Sequence, residues 1–294
     1  MQSTKTNNTG KKYIGILYIL CAAFFFALMN LFVKLSGDLP VYQKCFFRNF
    51  VAAFIALFLV LKNKTKFSVP KGNWRYMWVR CIGGTLGILC NFYAIGHLNI
   101  ADASMLNKLS PFFAILFSIW ILKEKPNRVE WTAVIIAFIG ALFVIKPSFN
   151  LDSFPAIMGF FGGMFAGLAY TCVRKMGQGN VQGSIIVLCF SLFSCIFVIP
   201  MVLVTYEPMT ALQLISLLLA GVSAAGGQFS ITAAYSKAPA KEISVYDYVQ
   251  VIFAAILSMI VLHDLPDMYS FIGYAIIIGI AVWKWYYTVK KADA

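Results

Sequence analysis

The chain has 294 residues, 61% of them hydrophobic and 12% charged, with a formal net charge of +13. Soluble domains sit nearer 45–50% apolar and about 25% charged, so this composition excludes a water-soluble globule and requires lipid as solvent. The basic excess would suit nucleic acid, but the Lys and Arg residues lie between apolar runs rather than as a stripe on a soluble domain, so no nucleic-acid partner is expected.

Met1 to Lys11 is polar and is expected to be a disordered cytoplasmic tail. The first apolar stretch is about 20 residues long, enough to span a bilayer, and no small-residue cleavage site follows it, which argues against a signal peptide. Ten spans are predicted: Lys12–Leu35, Val41–Leu61, Trp74–Gly96, Ala103–Leu122, Val129–Ile145, Phe154–Arg174, Ser184–Val204, Leu212–Ser236, Ile243–Leu262 and Tyr269–Tyr287. Residues 289–294 would form a second cytoplasmic tail. Backbone polar groups in lipid must be satisfied within the segment, so the spans are read as helices. The alternating ten-residue runs of a barrel are missing.

The chain divides into two halves, 12–146 and 154–288, each with five spans. Glu124-Lys125-Pro126 matches Asp264-Leu265-Pro266, and Lys34 matches Arg174, both at an offset of 140. An odd number of spans sends the second copy into the membrane from the opposite side. The expected fold class is therefore all-α integral membrane, ten transmembrane helices as two five-helix inverted repeats. Many secondary transporters share that plan and bind substrate at the repeat interface near mid-membrane.

Orientation follows from the loops. With the N-terminus inside, the outer ends carry only Lys34, Lys44 and Lys146, and four basic residues fall inside spans; the remaining seventeen of the 24 Lys and Arg lie on the inner side. Both termini are expected in the cytoplasm, and the plasma membrane is the expected location. The seven cysteines fall within or at the edge of spans without a CxxC pair, and read as buried apolar thiols. Gly83 and Gly87, and Gly159, Gly163 and Gly167, make GxxxG patterns that mark close helix contacts and leave a homodimer open beside a monomer. Pro111 and Pro200 predict kinks in helices four and seven.

The basic residues inside spans are Arg48, Arg80, Lys108 and Lys284, joined by the acidic Asp247. Lys284 sits among Trp283, Trp285, Tyr286 and Tyr287, where snorkelling at an aromatic belt accounts for it. The others each need a partner or a wet cavity, because a charge at mid-membrane costs several kcal/mol. Arg48 and Arg80 fit a structural clamp or a substrate contact, and both readings stay open. Asn107 matches Asp247 at the repeat offset and Lys108 matches Tyr248, so helices four and nine should line one central cavity together with helices one, three, six and eight. Asp247 could balance a cationic group or shuttle a proton, with Tyr246 and Tyr248 stacking on a ring or cradling an ammonium. Asn107, Gln228 and Gln250 are further cavity candidates. His97 and His263 stand alone at helix ends. No HExxH, paired carboxylates or nucleotide loop appears, so neither an enzyme nor a cofactor nor a bound metal is expected.

These residues resemble a known family. Arg48-Asn49-Phe50 is similar to the start of the second helix in EamA-type members of the drug/metabolite transporter superfamily. Leu109-Ser110-Pro111-Phe112-Phe113-Ala114, then Lys123-Glu124 and Ile139-Gly140, resembles that family's fourth-to-fifth helix signature. Val249-Gln250-Val251-Ile252-Phe253-Ala254-Ala255 and His263-Asp264 repeat it, with Asp264 in place of the usual Glu and no proline partner for Pro111. The resemblance implies two inverted repeats, alternating access and transport of amino acids or other metabolites. Arg48, Arg80 and Tyr246-Asp247-Tyr248 also resemble the S-adenosylmethionine uptake branch, which has a basic residue where Asp247 stands. Short drug exporters carry a glutamate in helix one; this chain has none there. The expected partners are a small polar substrate, such as an amino acid or an S-adenosylmethionine-like metabolite, and the lipid bilayer. The alternative is a passive channel or a non-transporting membrane protein, with an integral-membrane enzyme the least favoured reading.

Overall fold

The computed structural model describes residues 2–97, 106–145, 153–262 and 267–293. The start of the fourth span at Ala103, Lys146, Asp152 and the His263-Asp264-Leu265-Pro266 segment lie outside them. The regular structure of the described residues is helical: α1 (Gln2–Leu35), α2 (Val41–Lys62), α3 (Trp74–His97), α4 (Ser110–Leu122), α5 (Arg128–Ile145), α6 (Ser153–Gln178), α7 (Gly183–Thr205), α8 (Ala211–Lys237), α9 (Val249–Leu262) and α10 (Met268–Asp293). A single α-turn, Ala240–Ile243, and a 3-10 stretch, Ser244–Tyr248, lead into α9. The polar N-terminal segment read as a disordered tail is the beginning of α1, since a helix once nucleated by its apolar part extends at little cost.

Among the described residues, seven stretches are long and apolar enough to cross a membrane: Tyr13–Leu35, Val41–Lys62, Phe154–Gln178, Gly183–Thr205, Ala211–Lys237, Ala240–Val261 and Met268–Tyr287. Their outward faces carry large apolar side chains open to the surroundings, Phe54 at 68% exposure and Leu203 at 78% among them. Such a surface is stable against lipid and not against water. The interior instead collects small residues such as Ala22, Ala137 and Ala224, which let helices approach closely.

α1 packs along α8, α3 along α6, α2 against α7 and α5 against α10. The glycines of α6 are consumed in this packing. A Cβ on Gly163 would stand 2.6 Å from the Leu106 carbonyl oxygen, and one on Gly167 would stand 2.8 Å from the Ser110 carbonyl oxygen. A Cβ on Gly87 of α3 would stand 3.4 Å from the carbonyl oxygen of Gly162 in α6. These faces meet inside the chain and are not free for a second copy.

Local sequence explains the helix starts. Thr210 and Gln213 close a capping box at the head of α8. Asn127 and Glu130 exchange backbone-to-side-chain bonds of 2.6 and 2.9 Å at the head of α5. Pro111 sits in the first turn of α4 rather than inside it, where its missing N–H costs nothing, so the fourth span is interrupted ahead of the proline instead of kinked at it. Pro200 lies inside α7 as expected.

Lys284 departs from the snorkelling expectation. It is 2% exposed, and its Nζ lies 3.8 Å from Glu130 Oε1. A carboxylate on the neighbouring α5 holds the ammonium inside, so it has no need to reach the interface.

Candidate functional site

A cavity of about 210 Å³ lies at the middle of the bundle. Its wall includes Arg48, Arg80, Asn107, Lys108, Gln228, Asp247 and Gln250, together with Asn30, Asn91 and Tyr170. The sequence reading named seven of these polar residues, Arg48 and Arg80 among them. Its set of cavity helices omitted two contributors: α2, which supplies Arg48, and α7, which supplies Phe190.

Two interrupted helices build one side. Leu106 and Asn107 are helical, Lys108 and Leu109 form a turn, and α4 begins at Ser110. Across from it the 3-10 stretch Ser244–Tyr248 precedes α9. Irregular backbone at membrane depth is tolerated where it lines a cavity and its polar groups find partners. Here they do. Lys108 Nζ donates to Asp247 Oδ2 at 3.2 Å, to the Asp247 carbonyl at 3.3 Å and to Gln250 Oε1 at 2.8 Å. Tyr248 donates its hydroxyl hydrogen to the Lys108 carbonyl at 2.9 Å.

The tyrosines do not flank Asp247 in the cavity. In a 3-10 stretch successive side chains diverge by about 120°, given three residues per turn. Asp247 faces the cavity, while Tyr248 turns against Phe138 of α5, with ring centroids 6.4 Å apart. Tyr246 is buried away from the cavity wall. The expected aromatic cradle around Asp247 is therefore not formed, and Asp247 already has Lys108 as its counter-ion.

The arginines are held differently. Arg48 is 4% exposed; its Nε donates to Met29 Sδ at 3.2 Å and one terminal nitrogen donates to Asn49 Oδ1 at 3.1 Å. Arg80 is 2% exposed; one terminal nitrogen donates to Gln228 Oε1 at 2.7 Å, and the guanidinium lies 4.0 Å over the Phe190 ring. Arg80 Nε has no hydrogen-bond partner. Gly84 gives Arg80 its room: a Cβ there would collide with the guanidinium and stand 2.6 Å from Phe190. The signal for this was present, because Gly84 follows Arg80 by one helical turn and shares its face. Among the described residues no carboxylate forms an ion pair with Arg48 or Arg80.

On the side that carries the basic loops, Arg174 Nε of α6 stands 3.5 Å from Glu124 Oε1, and Arg174 donates to the Ser236 carbonyl at 3.2 Å. Tyr170 and Tyr235 stack between this pair and the cavity, with centroids 5.1 Å apart. Tyr93 instead stacks on His97, at 4.0 Å.

The EamA-like transporter family profile matches residues 13–146 and 153–284. The chain belongs to that family. It is 31% identical over 267 residues to the pseudopaline exporter CntI of Pseudomonas aeruginosa, covering 90% of this chain and 93% of that one. It is 26% identical to an uncharacterised transporter of Helicobacter pylori, over 90% and 92% of the two chains. It is also 26% identical to human solute carrier family 35 member G1, over 94% and 81%. A solved crystal structure with 14% identity superposes with a TM-score of 0.80 over 93% of this chain and 96% of that one, which establishes the shared fold. The two profile matches confirm two repeated units and a transporter family for this membrane chain; they do not specify a substrate.

Proposed function

We propose that the chain is a secondary active transporter that moves a small polar metabolite across the plasma membrane by alternating access. Ten transmembrane helices in two five-helix inverted repeats would carry the movement, with both termini in the cytoplasm. The observation that carries this reading is the central polar cavity walled by both repeats. Each repeat contributes an interrupted helix, and the interruptions meet through Lys108, Asp247 and Tyr248.

The packing supports the inverted repeat. Adding 140 to the residues of α1 and α3 leads to α6 and α8. The α1–α8 contact thereby becomes the α6–α3 contact, and α2–α7 and α5–α10 map onto themselves. A pseudo-two-fold axis through the cavity would produce that pattern. Glu124–Arg174 and the Tyr170–Tyr235 stack would close the cytoplasmic side in the conformation described here. Amino acids and S-adenosylmethionine-like metabolites are the candidate substrates, and the relative named as an exporter makes outward movement the direction to assay first.

The test is flux in proteoliposomes containing the purified protein. A carrier gives saturable uptake that is accelerated by substrate on the far side. Non-saturating flux without counterflow would identify a channel and end the alternating-access reading.

A further inference from the structure

The cavity holds more positive charge than its own residues neutralise. Lys108 and Asp247 form a pair and contribute no net charge. Arg48 and Arg80 both line the same space, both are buried, and neither has an acidic partner among the described residues. A methionine sulfur, two side-chain amide oxygens and an aromatic face are weak compensation for two guanidinium groups withdrawn from water. A buried charge costs several kcal/mol unless a charged partner repays it.

We propose that the missing partner is the cargo: an organic anion whose carboxylate groups are held by Arg48 and Arg80. This deepens the transporter reading and rests on it. Guanidinium presents parallel donors that match a carboxylate in a bidentate fork. Arg80 Nε is a buried donor with no partner, available for one arm of such a fork. Asn91 Oδ1, on the same wall, is a buried acceptor with no partner. It suits a hydroxyl, amide or ammonium on the same substrate. Gln250 and Gln228 are already engaged by Lys108 and Arg80, so they position those cations. The volume of about 210 Å³ admits a metabolite rather than a chloride ion alone. The same charge balance disfavours a purely cationic substrate, which would enter a wall already positive.

The experiment is thermal unfolding of the purified wild-type protein in detergent against acetate, succinate, citrate, glutamate, inorganic phosphate and choline, followed by flux of the stabilising compounds in proteoliposomes. A ligand that binds only the folded state raises the midpoint in proportion to log concentration. Stabilisation by carboxylates and not by choline is expected, with apparent affinity at least tenfold weaker in Arg80→Gln and in Arg48→Gln. The Arg→Lys variants keep the charge and remove the fork; they should recover part of the affinity. Stabilisation by choline alone, by phosphate alone or by none of the carboxylates overturns the proposal. So does undiminished carboxylate binding in the Arg48→Gln/Arg80→Gln double variant. If the glutamine variants do not fold, competition by the panel against wild-type flux decides instead: inhibition by carboxylates supports the assignment, and inhibition only by choline overturns it. Carboxylate binding without flux leaves the site standing and removes the transporter reading. Saturable flux of neutral or cationic compounds alone does the reverse.

Discussion

Tyr248 donates its hydroxyl hydrogen to the backbone carbonyl of Lys108 at 2.9 Å, across a separation of 140 residues, which is the repeat offset itself. Two positions that correspond by sequence therefore touch. In the proposed inverted repeat such a contact falls close to the two-fold axis, where the halves would converge. It also satisfies a carbonyl that the interruption ahead of α4 would otherwise leave exposed within the bundle.

Tyr248→Phe removes that hydrogen bond and nothing else of size. Leaving a buried carbonyl unpaired costs about 1–3 kcal/mol, so the thermal midpoint in detergent should fall measurably while expression persists. An unchanged midpoint would mean that water replaces the hydroxyl.

Asp247→Asn strands the Lys108 ammonium beside Gln250. Breaking one half of a buried pair costs about 3–5 kcal/mol, whereas removing both halves is often nearly neutral. The Lys108→Gln/Asp247→Asn double variant should therefore be more stable than Asp247→Asn alone, and a double-mutant cycle on unfolding midpoints reads this directly. Additive losses would show that the two groups act independently.

Gly167→Ala places a methyl against the backbone of α4, 2.7 Å from the Ala114 nitrogen and 2.8 Å from the Ser110 oxygen. Backbone has nowhere to move in a close-packed interface, and overpacking costs about 1–3 kcal/mol. Gly279→Ala is the control, because nothing lies within 4 Å of its added methyl. The first should lower the yield of monodisperse protein in size-exclusion chromatography, and the second should not.

Glu124, in the connection between α4 and α5, has its carboxyl pushed above the ordinary carboxylate range by burial, with Arg174 pulling in the opposite direction. A raised carboxyl means that the folded state holds its proton more tightly than the unfolded state. Its contribution to stability is thus greatest below the unfolded value and declines as pH rises through the folded one. In Arg174→Gln the opposing cation is gone, so stability should fall more steeply between acid and neutral pH than in the wild type. Adding Glu124→Gln should flatten that extra slope. Midpoints measured across this range in one detergent check both.

Seven of the predicted spans, one, two and six to ten, match stretches apolar and long enough to cross a membrane, and they were legible because bilayer thickness and backbone hydrogen bonding impose length and apolarity on each segment separately. Arg48, Arg80, Lys108 and Asp247 were legible for a related reason: charge in a span is costly enough to stand out without knowledge of its neighbours. The pairings were not. Lys108 with Asp247, Lys284 with Glu130 and Arg174 with Glu124 each join residues far apart in the chain or on different helices, and only the packing brings them within 4 Å.

The local sequence around Tyr246-Asp247-Tyr248 pointed to an aromatic cradle, and the backbone overruled it by taking a 3-10 path that sends the three side chains in different directions. By itself the sequence determined a helical membrane chain of two repeated units with a few obligatory polar positions, because those are demands of the solvent on each segment. Tertiary structure decided which charges cancel and which remain. Coulombic compensation depends on distance, and distance between helices is a property of their packing rather than of any one of them.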